Sequence, residues 1–432
     1  MNIFRTFSIY TVVGFLNAGL NFLLLPILTK HLTPADYGII SLVNTYVSVF
    51  IPIIGLSTAG FAVVEYYDPK LPKEEFPHLF SSVRVIPLIG TAALALLFLI
   101  GSPFLPGIME LPLTAYWLVV PLTLLTLYFT NFSTFLVATK RAGLFAATSI
   151  ARLVAETLLT VALVVWLGRA WNGRIESALA IAGIFSVGSF YFYRKWGLIS
   201  WNIRKTYIRQ AVLFGTPLIM HQIGKFVINQ SDRIFLTKMV SLDEMGIYSV
   251  GYQVGTVILI VVTAFSNFFS PFLYEKLAKG GEKEKREVIR VSYWSLIGTL
   301  ACVFLLTLVT PIIFRYFVDP SYAGAAKYVF WVGLGYFFWA IYIVFSGYIF
   351  FLKKTKVLGY IAIVNVALNL LLNFLFIRYF GAIGAAYATC LSYLIVAIII
   401  SIVVNRMYPM PWKDFWIRRK NKNADSQTEI KQ

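Results

Sequence analysis

Apolar runs long enough to cross a lipid bilayer recur twelve times along this chain, and few folds can hold so many. A membrane-crossing helix needs about 20 mostly apolar residues at about 1.5 Å rise each. Runs that meet this length occupy 7–29, 39–63, 83–104, 113–137, 144–167 and 175–193, then 211–235, 247–272, 291–317, 325–351, 357–377 and 382–404. The first could be a signal peptide, since Arg5 precedes it. It is too long for a signal h-region and lacks a small-residue cleavage site, so it reads as a retained helix. The composition agrees: 59% of the 432 residues are hydrophobic and 13% charged, against about 25% charged in soluble domains. Phe 37, Tyr 25 and Trp 10 supply aromatic anchors for two interfaces. A soluble enzyme and a disordered chain are both excluded.

A net charge of +18 first suggests nucleic acid, but the positions of the charges point elsewhere. Of the 37 Lys and Arg, 27 fall on one side of the predicted membrane, seven on the other and three within spans. That asymmetry is the positive-inside pattern, which places both termini in the cytoplasm. The excess is then a topology signal with attraction to anionic membrane lipids, and no nucleic-acid partner is needed. Cys302 and Cys390 sit in separate apolar runs and read as small buried hydrophobes.

The spans divide into two halves around a basic connector at 194–210. Tyr37-Gly38-Ile39-Ile40-Ser41-Leu42 opens the second span of one half, and Met245-Gly246-Ile247-Tyr248-Ser249-Val250 that of the other. Each follows an acidic turn, Thr33-Pro34-Ala35-Asp36 and Ser241-Leu242-Asp243-Glu244. Lys140-Arg141 and Lys353-Lys354 fill matching loops. Six helices per half make the repeat parallel, an arrangement in which transporters bind substrate between repeats; a duplication without functional meaning is the alternative. The expected fold is an all-α integral membrane protein of about twelve transmembrane helices in two parallel-repeat six-helix lobes. These lobes occupy 1–200 and 201–405, with a basic cytoplasmic tail at 406–432.

Apart from Arg84, Glu176, Arg315 and Lys327 at span edges, five charges fall inside spans: Arg152, Glu156, Lys225, Asp232 and Arg233. Each costs about 2.5–3.5 kcal/mol at mid-depth if left to lipid, so they must face water, an interface or one another. Arg152 and Glu156 are i, i+4 neighbours, as readily a structural ion pair as a substrate contact. In the seventh span His221, Lys225 and Asn229 recur at i, i+4 and i+8, with Asp232 on the same face and Gln222 at its border. That stripe is expected to line a cavity; helix–helix hydrogen bonding is the alternative. Asn365, Asn369 and Asn373 repeat the pattern in span eleven, and Asn17 and Asn21 in span one, where lumen and helix-bonding roles stand level. Arg152 and Lys225 outnumber the single anion at their depth, so an anion such as phosphate is the expected cargo group. Pro26, Pro52, Pro87, Pro121, Pro217 and Pro311 are positioned to kink helices. No Walker loop, HExxH motif or paired deep carboxylates occur, so the chain is expected to be no enzyme, with no catalytic residue, metal or cofactor.

Gly14-Phe15-Leu16-Asn17, Leu32-Thr33-Pro34-Ala35-Asp36-Tyr37-Gly38, Phe214-Gly215-Thr216-Pro217-Leu218, Asn229-Gln230-Ser231-Asp232-Arg233-Ile234-Phe235-Leu236 and Gly246-Ile247-Tyr248-Ser249 together resemble the polysaccharide-repeat-unit (O-antigen-type) flippases. These belong to the multidrug/oligosaccharidyl-lipid/polysaccharide exporter superfamily. The resemblance implies two six-helix bundles in an inverted V, working by alternating access in a bacterial inner membrane. It implies an undecaprenyl-pyrophosphate-linked oligosaccharide as cargo, for O-antigen, lipopolysaccharide, capsule or exopolysaccharide. Polysaccharide polymerase and chain-length machinery are implied partners, and a proton or sodium ion the coupling ion. The rival readings are a multidrug cation antiporter of the same superfamily, which would want acidic lumen residues, and a polytopic polysaccharide polymerase or ligase, which would want a sizeable catalytic loop.

Overall fold

A computed structural model describes residues 3–412. Helix α1 (Ile3–His31) is followed by α2 (Pro34–Gly55), α3 (Thr58–Tyr66), α4 (Phe76–Val83), α5 (Val85–Gly101), α6 (Leu105–Met109), α7 (Leu113–Ala138) and α8 (Ala142–Val161). A π-helical turn, Ala162–Trp166, closes α8 before α9 (Ala170–Lys195). Then come α10 (Lys205–Met239), α11 (Leu242–Gly255), α12 (Val257–Lys279), α13 (Glu282–Phe317), a 3₁₀ turn at Pro320–Ala325, α14 (Ala326–Phe351), α15 (Lys356–Phe380) and α16 (Ile383–Met407). Among the described residues ten helical segments are long and apolar enough to cross a bilayer, and α10 makes eleven if its bent halves count as one. The first apolar run is helical too, over the 29 residues of α1. The chain is an all-helical, multi-pass membrane protein.

Some predicted spans are interrupted rather than continuous: the run at 247–272 passes from α11 to α12 at Thr256, and two others are broken or sharply bent. The run at 39–63 divides at Leu56 and Ser57, both left-handed with φ 44° and 51°, which ends α2 four residues after Pro52. Helix α10 bends by 50° between Gly224 and Phe226, some eight residues past the proline expected to kink it.

By internal contacts the chain forms two compact units. The first holds the described residues up to Val250 with Ile312–Ala325 and Ile377–Ala382; the second holds Gly251–Pro311, Ala326–Phe376 and the described residues from Ile383. In the second, α14 lies along α16, where Ala385, Ala386 and Ala388 are fully buried. Small side chains let backbones approach, the means by which helices associate where lipid removes the hydrophobic drive.

The first unit brings the two repeated motifs together. Helix α2 starts with a capping box: Thr33 Oγ1 accepts from the Asp36 amide at 3.2 Å, and the Thr33 amide donates to Asp36 Oδ2 at 2.9 Å. Its first turn crosses the first turn of α11 so closely that a Cβ on Gly246 would overlap the Pro34 carbonyl oxygen, and one on Gly38 the Leu242 oxygen. One turn further on, Ser249 Oγ donates to Ser41 Oγ at 2.9 Å. Tyr322 seals the same end, its hydroxyl donating to the Leu32 carbonyl at 2.9 Å.

At the other end of this unit the connector after α9 is stapled to α4. Ser200 amide donates to Ser81 Oγ, and Arg204 amide to Ser82 Oγ, both at 2.8 Å. Arg204 Nη1 and the Tyr207 hydroxyl converge on Glu75 Oε2 at 2.6 and 2.9 Å. The Tyr207 hydrogen bond, with the Arg204 charge, holds the Glu75 carboxyl below its ordinary range. A depressed folded pKa gives a contribution that is complete above the unfolded value, about 4.3, and lost as pH falls through the folded one. Hydrogen exchange of 197–204 is therefore expected to stay protected from pH 7 to about 5 and to accelerate only below about 4. Acceleration already at pH 6 would contradict the staple.

Candidate functional site

Helices α8 and α9 form a hairpin, so charges near their ends meet at similar depth. Arg152 lies ten residues into the α8 span (Ala142–Trp166), about 15 Å from its start. The expected partner of Glu156 was Arg152, but their contact is loose: Arg152 Nε to Glu156 Oε2 is 3.7 Å, beyond hydrogen-bonding reach. The tight partner is Arg174 on α9, whose Nη1 donates to Glu156 Oε1 at 2.7 Å. The same Nη1 lies 3.5 Å from Thr160 Oγ1, which pairs with Ser177 Oγ at 2.7 Å.

Arg152 instead rests its guanidinium carbon 4.4 Å from the centre of the Phe129 ring. Two cations around one carboxylate leave the cluster at +1, with side chains 17–19% exposed. Among the described residues nothing accepts a hydrogen bond from this guanidinium, and a planar N–H fork of that kind suits a planar or tetrahedral oxyanion.

The stripe on α10 is largely spent on neighbouring helices. Gln222 Nε2 donates to Ser57 Oγ at 2.6 Å, tying α10 to the break between α2 and α3. Gly215 on the same helix has no room for a Cβ beside the Leu56 carbonyl. Asp232 and Arg233, 4% and 8% exposed, pair at 3.1 Å. The Tyr248 hydroxyl of α11 donates to the other Asp232 oxygen, and Arg233 Nη1 to the Asn229 carbonyl at 3.0 Å. Where the spacing predicts a cavity wall, Gln222 and Asp232 thus bond neighbouring elements and Arg233 bonds back to Asp232 and Asn229 on its own helix, while the Asn229 side chain is exposed. The side chains of His221, Lys225, Asn17 and Asn21 lie outside the described residues.

In the second unit Asn365, Asn369 and Asn373 are at most 3% exposed. Asn373 Nδ2 donates to Asn369 Oδ1 at 2.9 Å, and Asn369 Nδ2 reaches Ser392 Oγ of α16 at 3.5 Å. This ladder joins α15 to α16 and belongs to a different unit from Arg152 and Glu156. Of the residues singled out by sequence, the structure brings together Arg152 with Glu156, Asn229 with Asp232 and Arg233, and Asn369 with Asn373.

Sequence reasoning missed Arg174 because it sits near a span end, where an arginine is expected to reach an interface. The signal was present: Glu156 lies ten residues before the turn at Trp166 and Arg174 four residues into α9, within the reach of a long side chain.

Comparison with known proteins agrees with this architecture. Residues 3–273 match a family model described as "Polysaccharide biosynthesis protein", and residues 217–375 match the MatE model. The chain is 25% identical over 414 residues to an "Uncharacterized membrane protein" of Haemophilus influenzae, covering 91% of this chain and 93% of that one. It is 24% identical over 407 residues to "Lsg locus putative protein 1" of the same organism, covering 89% and 96%. Among solved structures, the lipid II flippase MurJ in an inward closed conformation superposes with a TM-score of 0.70 at 14% identity, covering 92% of this chain and 87% of that one. A multidrug resistance MATE family transporter of the MOP superfamily, in its inward-facing conformation, gives 0.67 at 12% identity, covering 92% and 94%. The helical order, the paired repeat motifs and a family match across more than half its length make this chain a member of the polysaccharide biosynthesis protein family, with a fold similar to that of the MATE transporter and of the lipid II flippase MurJ.

Proposed function

We propose that this chain flips an undecaprenyl-pyrophosphate-linked oligosaccharide repeat unit across a bacterial inner membrane, with both termini in the cytoplasm. The observation that carries the reading is Arg152: a mid-span guanidinium whose N–H donors have no hydrogen-bond acceptor among the described residues, in a cluster of net charge +1. A charge so placed is costly in lipid and well matched to a pyrophosphate or an acidic sugar. Lys225, in the second half of the sequence, is the second cation of this reading. Lobes 1–200 and 201–405 rock about the bound head group while the lipid tail stays in the bilayer. An ion gradient, proton or sodium, drives the cycle, and a polymerase with its chain-length machinery consumes the product for O-antigen, capsule or another surface polysaccharide. The chain itself breaks no covalent bond.

The MatE match raises the multidrug antiporter as a second reading. Such a carrier wants a carboxylate free to take a proton or cation, whereas Glu156 and Asp232 each sit against an arginine.

The test is a glycan assay in a strain lacking the gene. Complementation with the Arg152→Ala/Lys225→Ala double variant is expected to leave repeat units on the inner leaflet and cut surface polysaccharide at least tenfold, with normal membrane insertion. Normal polysaccharide would remove both cations from the mechanism. Unpolymerised units on the outer leaflet of the deletion strain would point to a polymerase instead.

A further inference from the structure

Arg84 is a part-buried cation, its Nη1 fully enclosed, that the proposed flipping site does not use. It joins α4 to α5, seventeen residues before Gly101. At about 1.5 Å per residue that is about 25 Å, which places it near one boundary of a hydrocarbon core about 30 Å thick. Four rings surround its guanidinium carbon, with centroids at 4.4 Å (Tyr193), 5.1 Å (Tyr128), 5.6 Å (Phe80) and 5.9 Å (Phe190). Among the described residues it has no carboxylate partner, and its buried Nη1 has no hydrogen-bond acceptor. Ring faces attract a cation but accept no strong N–H hydrogen bond, so the cage holds the charge without satisfying it.

Arg84 lies between two cavities. The smaller, about 20 Å³ and bordered by Thr58 and Asn131, has room for one water. One water can accept one N–H; it cannot neutralise the charge. The larger, about 510 Å³, is of ligand size. Its walls are Leu88 of α5, Leu125 of α7, Val187 and Phe190 of α9, and Ile199 and Trp201 of the connector. Ser186 and Ser81, also in the wall, already donate to the Leu125 and Leu198 carbonyls. Arg84 is thus the cation in an otherwise apolar pocket. Trp201 is 91% exposed and Val187 72%, so the pocket opens sideways toward lipid rather than into a closed core. Lys70, Lys73 and Arg141 on loops, with Arg194 and Lys195 in the last turn of α9, lie at this same end of the helices, so the local field favours anions.

We propose that this pocket is a binding site for an anionic phospholipid of the adjoining leaflet. The phosphodiester pairs with the Arg84 guanidinium, and an acyl chain lies against Leu88, Val187 and Ile199. A free phosphate would leave the apolar walls uncovered, and a neutral lipid would place a choline or ethanolamine cation beside Arg84. The site shares no lining residue with the Arg152 cluster, so it stands or falls independently of the flipping proposal. Its role is to fasten the connector and α4 to the leaflet surface.

Native mass spectrometry of the purified full-length chain, titrated with short-chain phosphatidylglycerol, phosphatidylcholine or inorganic phosphate, tests it. The wild type is expected to retain one phosphatidylglycerol about tenfold more tightly than phosphatidylcholine, the scale of a charge-assisted hydrogen bond. Arg84→Gln should erase that preference. Leu88→Trp, which fills the pocket but leaves Arg84 and its rings in place, should weaken both lipids and keeps the test decisive if Arg84→Gln fails to fold. Equal retention of the two lipids by the wild type, full retention by Leu88→Trp, or displacement of the lipid by millimolar phosphate would each overturn the assignment.

Discussion

Gly246→Val is expected to destabilise the protein by about 3 kcal/mol or more, at or above the upper end for overpacking. The added Cβ meets the Pro34 carbonyl oxygen and the Gly38 amide nitrogen, which belong to helix backbone and cannot rotate aside as a side chain can. Helices α2 and α11 must then separate, which also breaks the Ser249–Ser41 hydrogen bond and draws Tyr248 away from Asp232. Gly298→Ala is the matched control. It lies within a helix with nothing near its missing Cβ, so it should gain up to about 1 kcal/mol from helix propensity. Thermal unfolding of the two variants in detergent measures the contrast. If Gly246→Val melted with Gly298→Ala, the close crossing would be refuted.

The second large effect separates stability from transport within one cluster. Arg174→Ala removes the tight partner of Glu156 and leaves a part-buried carboxylate facing only the distant Arg152 Nε. Breaking such a pair costs about 3–5 kcal/mol. Replacing both members, as Glu156→Leu with Arg174→Met, should recover most of that loss, because no charge is then stranded. Arg152→Ala should cost less than about 1 kcal/mol, since its ionic contact is long and Glu156 keeps Arg174. Its expected defect is in flipping. A double-mutant cycle on unfolding free energy checks the first two variants, and the glycan assay the third. Equal destabilisation by Arg152→Ala and Arg174→Ala would show that the geometry assigns the partners wrongly.

Hydropathy made the spans legible because a helix in lipid must be apolar along its whole length, and each predicted run carries a helix. What hydropathy cannot register is a break inside an apolar run. The left-handed pair Leu56–Ser57 carries no proline or glycine of its own, and only the approach of Gly215 and the Gln222–Ser57 bond show why the chain turns there. The polar stripe of α10 was legible as a stripe, because a period of four residues marks a helix face. Its partners were not, because they come from α2, α3 and α11. The setting of Arg84 was hidden for a similar reason. A cation at the edge of a span usually reaches water, and the four rings that enclose it come from α4, α7 and α9.

The meeting of the two repeated motifs has a consequence for ancestry. Gly38 approaches Leu242 and Gly246 approaches Pro34, while Ser41 bonds Ser249; the equivalent positions of the two motifs, Pro34 and Leu242, Gly38 and Gly246, Ser41 and Ser249, are each 208 residues apart. Residue i of one copy meets residue j of the other, and j meets i, which is the reciprocity of a self-complementary twofold contact. A half-length forebear carrying one such motif would already possess the surface with which to bind its own twin. Fusion of two such genes would fix a homodimer into a single polypeptide and free each copy to specialise.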